Sequence, residues 1–207
     1  MQIAIVAYPG FTALDILGPY EVLGRLPDTD VVFVTEHPGA IRNDLGSLSI
    51  NVETSLADVT TPELVLIGGG PGQENQMAND NLHEWLRAVD QTSAWTASVC
   101  TGTLILAAAG LLRDRRATTH WAALDALAGF GAIPTNERVV IDGHYATGAG
   151  VSAGIDMALT LAGLISGDDV AQTLQLLLEY APQPPYTAGS PDSAPVEVVD
   201  NLLRAHR

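Results

Sequence analysis

Residues 96 to 112, TASVCTGTLILAAAGLL, constrain this chain more than any other stretch, because the residue pattern changes type at its single cysteine, Cys100. On the amino side, Trp95-Thr96-Ala97-Ser98-Val99 carries β-branched residues and no breaker, the pattern of a buried strand. On the carboxyl side, Gly102 to Leu112 is rich in Ala and Leu and reaches a stop at Gly110, the pattern of a core-facing helix. Cys100 therefore falls at a strand-to-helix turn. The first turn of a helix leaves backbone N–H groups unpaired and carries the positive end of the helix dipole, so a thiolate is favoured there. A turn of this kind also pushes the side chain out at the edge of a sheet, as in a nucleophile elbow, and Gly102 leaves room for the bend. Two readings of Cys100 follow, a catalytic nucleophile and a buried structural cysteine.

The rest of the chain supplies a sheet for that turn. Gln2 to Ala7 is a first buried strand, Tyr8-Pro9-Gly10 its turn, and Thr12 the cap of a helical segment beginning Ala13-Leu14-Asp15. Gly18-Pro19 is expected to break that segment, with a second piece running through Tyr20 to Leu23. Val31 to Val34 is a second strand, Pro38 to Ser47 a loop, and Ser49 to Val52 a short strand suited to an edge. Leu64-Val65-Leu66-Ile67 is the continuous apolar run of a parallel strand, followed at once by GGGPG at 68 to 72. Glycines in that place let backbone N–H groups face a ligand, although a plain flexible turn has the same composition. GGGPG lacks both the GxGxxG spacing of a dinucleotide fingerprint and the lysine of a phosphate loop.

Asn79 to Asp90 is a surface helix with Leu82, Trp85, Leu86 and Val89 on its core face. Ala117 to His120 is strand-like and Trp121 to Ala128 helical; His120 is either a second catalytic base or a hydrogen-bonded strand-end histidine. Arg138 to Gly148 is a hairpin turned at Asp142-Gly143. Ser152 to Leu164 is a long apolar helix whose single charge is Asp156, and a further helix follows over Val170 to Tyr180. Residues 181 to 195 form an extended segment before a final amphipathic helix, Val196 to Ala205.

Strands alternating with helices predict an α/β fold, one domain over residues 1 to 207 with a doubly wound, mostly parallel sheet and helices on both faces. Asp15, Gly69, Gly70 and Cys100 then all lie beyond carboxyl ends of strands, the edge where such sheets bind ligands.

Composition narrows the partners. Nine Lys and Arg against 24 Asp and Glu give a formal charge of −15, a field that repels phosphate backbones and anionic membranes. Nucleic acid and membrane are thus not expected partners. The longest apolar runs, near 104 to 112 and 157 to 165, are shorter than the ~20 residues that span a bilayer. A lone cysteine forms no internal disulfide and no Cys-built metal site, and the chain starts with a strand rather than a charged leader, so a cytoplasmic protein without a metal is expected.

With these segments in view the chain resembles the ThiJ/PfpI family of the class I glutamine amidotransferase-like superfamily over nearly its full length. The resemblance is carried by LDILGPYEVL at 14 to 23, GGGPG at 68 to 72, SVCTGTLILAAAGLL at 98 to 112, RRATTHW at 115 to 121, ERVVIDG at 137 to 143, SAGIDMALTLAG at 152 to 163 and LEYAPQPPYTAGSPDSAP at 178 to 195. It implies a flavodoxin-like fold, a nucleophile at Cys100, an acidic partner at Asp15, Thr101 beside the thiol, and an oxyanion-type pocket from the Gly69–Gly70 turn and the N–H groups of Gly70 and Thr101. It further implies a small-molecule substrate, no cofactor and a homodimer. Protease-like relatives carry His after the cysteine where this chain has Thr101, which argues against a peptidase. Glyoxalase-like relatives carry Glu where this chain has Asp15. The branch it resembles most hydrates isonitriles to N-substituted formamides. Attack on α-oxoaldehydes and non-enzymatic ligand or redox sensing are the competing readings.

Overall fold

The computed structural model describes residues 1–205. Strand β1 (Gln2–Val6) lies in the interior of a seven-stranded sheet, and its side chains from Ile3 to Val6 are almost fully enclosed. Helix α1 (Ala13–Leu23) returns the chain to β2 (Asp30–Thr35). A small antiparallel pair follows, β3 (Gly39–Arg42) with β4 (Ser49–Val52), and β5 (Thr54–Ser55) closes one edge of the main sheet. The chain then crosses to the other side of β1 through β6 (Leu64–Ile67), the short α2 (Gln73–Gln76), α3 (Asp80–Asp90) and β7 (Trp95–Val99). Beyond α4 (Gly102–Ala108) come β8 (Arg116–Ala117), turns of 3-10 helix over Trp121–Phe130, and β9 (Ile133–Pro134), which pairs with β8. The hairpin β10 (Val139–Asp142) and β11 (Tyr145–Gly148) completes the sheet, and α5 (Ala153–Ser166), α6 (Asp168–Leu177) and α7 (Val196–Ala205) end the chain.

The sheet order is β10-β11-β7-β6-β1-β2-β5, parallel except at the β10–β11 hairpin. Right-handed crossovers running outward in opposite directions from β1 and β6 place their helices on opposite faces. Accordingly α1 packs on α5, while α3 packs on α4. The strand order reverses between β1 and β6, so the crevice beyond their carboxyl ends is a topological switch point. All four β6 side chains are fully enclosed; each such burial contributes about 1.5–3 kcal/mol.

Four expectations change. Helix α1 runs through Gly18-Pro19 without a break. Proline removes one helical hydrogen bond, but the pair lets α1 approach α5: a Cβ on Gly18 would lie 3.1 Å from Ile155 Cγ1, and one on Gly154 would lie 3.1 Å from Pro19 Cγ. Thr12 occupies the N-cap position without capping, because its hydroxyl donates to Asp44 Oδ2 at 2.8 Å. The stretch expected to be a loop from Pro38 to Ser47 contains β3, whose pairing with β4 is set by long-range register. The strand expected over Ala117 to His120 is only β8, because the chain turns away at Thr118 toward Cys100. No helix among the described residues is long and apolar enough to cross a membrane.

Candidate active site

Cys100 follows β7 directly and has φ +56, a left-handed conformation rare for a residue with a Cβ. Such strain costs about 1–3 kcal/mol and persists only where neighbours over-determine it. Three contacts do so here. The Cys100 N–H donates to the Gly148 carbonyl at 3.0 Å, and the Cys100 carbonyl accepts from Thr119 Oγ1 at 2.7 Å and from the Thr103 N–H at 3.3 Å. A buried hydroxyl pair, Ser98 with Thr103 at 2.8 Å, ties the end of β7 to the start of α4.

The glycine turn after β6 packs against this elbow, backbone to backbone. A Cβ on Gly69 would lie 2.5 Å from Thr101 N, so only glycine fits. Gly70 has φ +126, and a Cβ there would meet the Gly10 carbonyl at 2.5 Å. The close approach is secured by hydrogen bonds: Gly69 accepts from the Thr12 N–H at 2.8 Å, and Gly70 donates to Thr101 Oγ1 at 3.1 Å.

Asp15, in the first turn of α1, is fully buried. Its Oδ2 accepts the Gly69 N–H at 2.7 Å, while Oδ1 is buried with no hydrogen bond of good geometry. The Cys100 thiol is close enough to act on this carboxyl. Burial raises the Asp15 pKa to about 7, against the lowering influence of the Gly69 N–H and the thiol. Burial likewise pushes the Cys100 thiol up to about 12, and the Asp15 charge adds to it. The Thr101 N–H and hydroxyl offset this only in part. Burial to 6% exposure and the neighbouring carboxyl thus work against the thiolate that the start of α4 favours.

Asp15, Gly69, Gly70, Cys100 and Thr101 thus meet at one point, although the Gly70 N–H already serves the Thr101 hydroxyl and the Gly69 N–H the Asp15 carboxyl. Two further residues belong there. The buried Tyr8 hydroxyl donates to the Gly68 carbonyl at 2.7 Å, and burial together with the Asp15 and Cys100 charges raises its pKa. Thr119 holds the Cys100 carbonyl. Tyr8 could have been found by its place just beyond β1, the same edge as Asp15. His120 is the N-cap of the 3-10 segment, where Nδ1 accepts the Ala122 N–H at 3.3 Å and the ring lies 5.6 Å from that of Trp121. Among the described residues no group of three or more His, Cys, Asp or Glu is arranged to hold a metal ion.

Comparison with known proteins gives this arrangement a context. Residues 1–163 match the family model described as the DJ-1/PfpI family. An isonitrile hydratase of Pseudomonas putida is 44% identical over 204 residues, covering 99% of this chain and 89% of that protein. A helix-turn-helix transcriptional regulator of Pseudomonas aeruginosa, CdhR, is 34% identical over 128 residues, 60% of this chain and 37% of the regulator. Among solved structures, a ThiJ/PfpI family protein from Pseudomonas syringae superposes with a TM-score of 0.96 at 36% identity, covering 99% of this chain and 85% of that one.

Proposed function

This chain belongs to the DJ-1/PfpI family, and from that premise we propose that it hydrates isonitriles, R–N≡C, to N-substituted formamides with Cys100 as nucleophile and Asp15 as proton carrier. The observation that carries the reading is the pairing of the cysteine with a buried carboxyl whose pKa is raised to about 7, in place of a histidine. A carboxyl with that pKa exchanges protons readily near neutrality.

In the first step the Asp15 carboxylate takes the thiol proton as sulfur attacks the terminal carbon of the isonitrile. The same carbon then receives that proton, which gives the thioimidate R–N=CH–S–Cys100. Water adds to the carbon, with its proton passing through Asp15 to nitrogen, and the adduct R–NH–CH(OH)–S–Cys100 forms. Collapse breaks the C–S bond, releases R–NH–CHO and returns the proton to sulfur. The balance is one isonitrile and one water consumed per formamide. The Thr101 hydroxyl, which accepts the Gly70 N–H, is positioned to hold the water. Only chain residues act in the scheme.

A homodimer is part of the proposal, supported by apolar side chains that α7 leaves exposed, among them Val196, Val198, Leu202 and Leu203. A cytoplasmic setting follows from a nucleophilic thiol that must stay reduced.

The test is an assay of the purified protein with an alkyl isonitrile and, separately, with methylglyoxal. Formamide formation that disappears in Cys100→Ala is expected. Lactate in place of formamide would move the protein to the α-oxoaldehyde reading, and turnover of neither substrate would favour a sensing domain.

A further inference from the structure

A cavity of about 500 Å³ is lined by chain neighbours of the Cys100–Asp15 pair, though not by either of the two side chains. Its inner wall comes from the segments that hold the reactive pair: Leu14 next to Asp15, Thr119 whose hydroxyl bonds the Cys100 carbonyl, and Val151 shortly after Gly148. The half-buried Trp121 adds an aromatic surface. The outer wall has another origin. It is formed by Gly189, Ser190, Pro191 and Asp192, from a stretch that contains neither helix nor strand.

That stretch follows a tethered residue and ends in a local turn. Before it, the Tyr180 hydroxyl interacts with Arg138 and Asp156, which are themselves ion-paired, and Arg138 lines the same cavity. At its far end, Ser190 and Ser193 share a hydroxyl contact of 2.9 Å, and the Ala194 N–H donates to the Ser190 carbonyl at 2.9 Å. The segment thus lines the cavity while every residue from Ala181 to Ser190 stays exposed.

We infer that the strap Gly189–Asp192 determines which R group the substrate can carry, Trp121 and Leu14 receiving an apolar or aromatic R against it. This inference rests on the proposed isonitrile chemistry. The reacting N≡C unit is linear and only two atoms long, so substrates in this class differ only in R. R must extend from the sulfur toward the one wall that the catalytic segments do not build. Misfit of an apolar R against Trp121 and Leu14 changes kcat/KM by roughly 10-fold or more per methylene.

Substitution at the strap leaves the core untouched. A Cβ on Gly189 would meet no atom within 4 Å, so a side chain there meets open space. The experiment compares Gly189→Trp and Pro191→Trp with the parent protein on methyl isonitrile and benzyl isonitrile. We expect kcat/KM for the benzyl substrate to fall at least tenfold, through KM, in one or both variants, with the methyl substrate within twofold of the parent. A parallel series alkylates Cys100 with iodoacetamide and with N-benzyl iodoacetamide, and the larger reagent should be selectively slowed. Benzyl-to-methyl and bulky-to-small ratios unchanged in both variants would overturn the inference. Absence of isonitrile turnover in the parent would instead overturn the proposed reaction, while the alkylation ratio would still decide the role of the strap.

Discussion

Gly69 donates its backbone N–H to Asp15 Oδ2 at 2.7 Å, a buried hydrogen bond across 54 residues that clamps the first turn of α1 to the glycine turn beside Cys100. It leaves the other carboxyl oxygen for the thiol, so one residue both braces the site and governs its protonation.

The raised Asp15 pKa links stability to pH. Unfolded, the carboxyl titrates near 3.8; folded, near 7. Between those values the folded protein binds more protons than the unfolded chain, so this group's contribution to stability falls as pH rises through that window. Asp15→Asn accepts the same Gly69 hydrogen bond without the charge. It should equal the parent in urea midpoint near pH 4 and exceed it at pH 8, as chemical denaturation at several pH values will show.

Activity should run the other way. If ionised Asp15 takes the thiol proton, kcat/KM for hydration rises with pH and levels off above about 7. Asp15→Asn should lose at least 100-fold in turnover. Because the Asp15 charge helps hold the thiol up, the same variant should titrate Cys100 at lower pH, which is visible as thiolate absorbance from the single cysteine. A variant with a more ionisable thiol and less turnover separates proton transfer from nucleophile reactivity.

Gly69→Ala should fail structurally. The added methyl would lie 2.5 Å from Thr101 N, and neither backbone can yield without moving the elbow. A loss of about 1–3 kcal/mol is expected in urea denaturation, together with loss of turnover.

Tyr8→Phe removes the donor to the buried Gly68 carbonyl. Leaving that acceptor unpaired should cost about 1–3 kcal/mol and lower kcat more than it raises KM. Steady-state kinetics beside a melting curve will separate the two effects.

Much of the molecule is legible from short windows of the chain. The apolar runs at 64–67 and 95–99, the amphipathic helix ending at Asp90, and the cysteine where pattern changes from strand to helix are all local signals. Together they determine a mostly parallel sheet with Asp15, the glycine turn and Cys100 at one edge. What they leave open depends on neighbours distant in sequence. Helix α1 passes through Pro19 because α5 packs against it, β3 exists because β4 pairs with it, and Tyr8 and Thr119 join the site by crossing the molecule. Protonation is the clearest case. A helix N-terminus read by itself favours a thiolate, but the pKa depends on how much water the assembled fold removes and which charge it places alongside. Burial is a sum over the whole structure, and so the tertiary fold decides how far the Asp15 carboxyl and the Cys100 thiol are both pushed up.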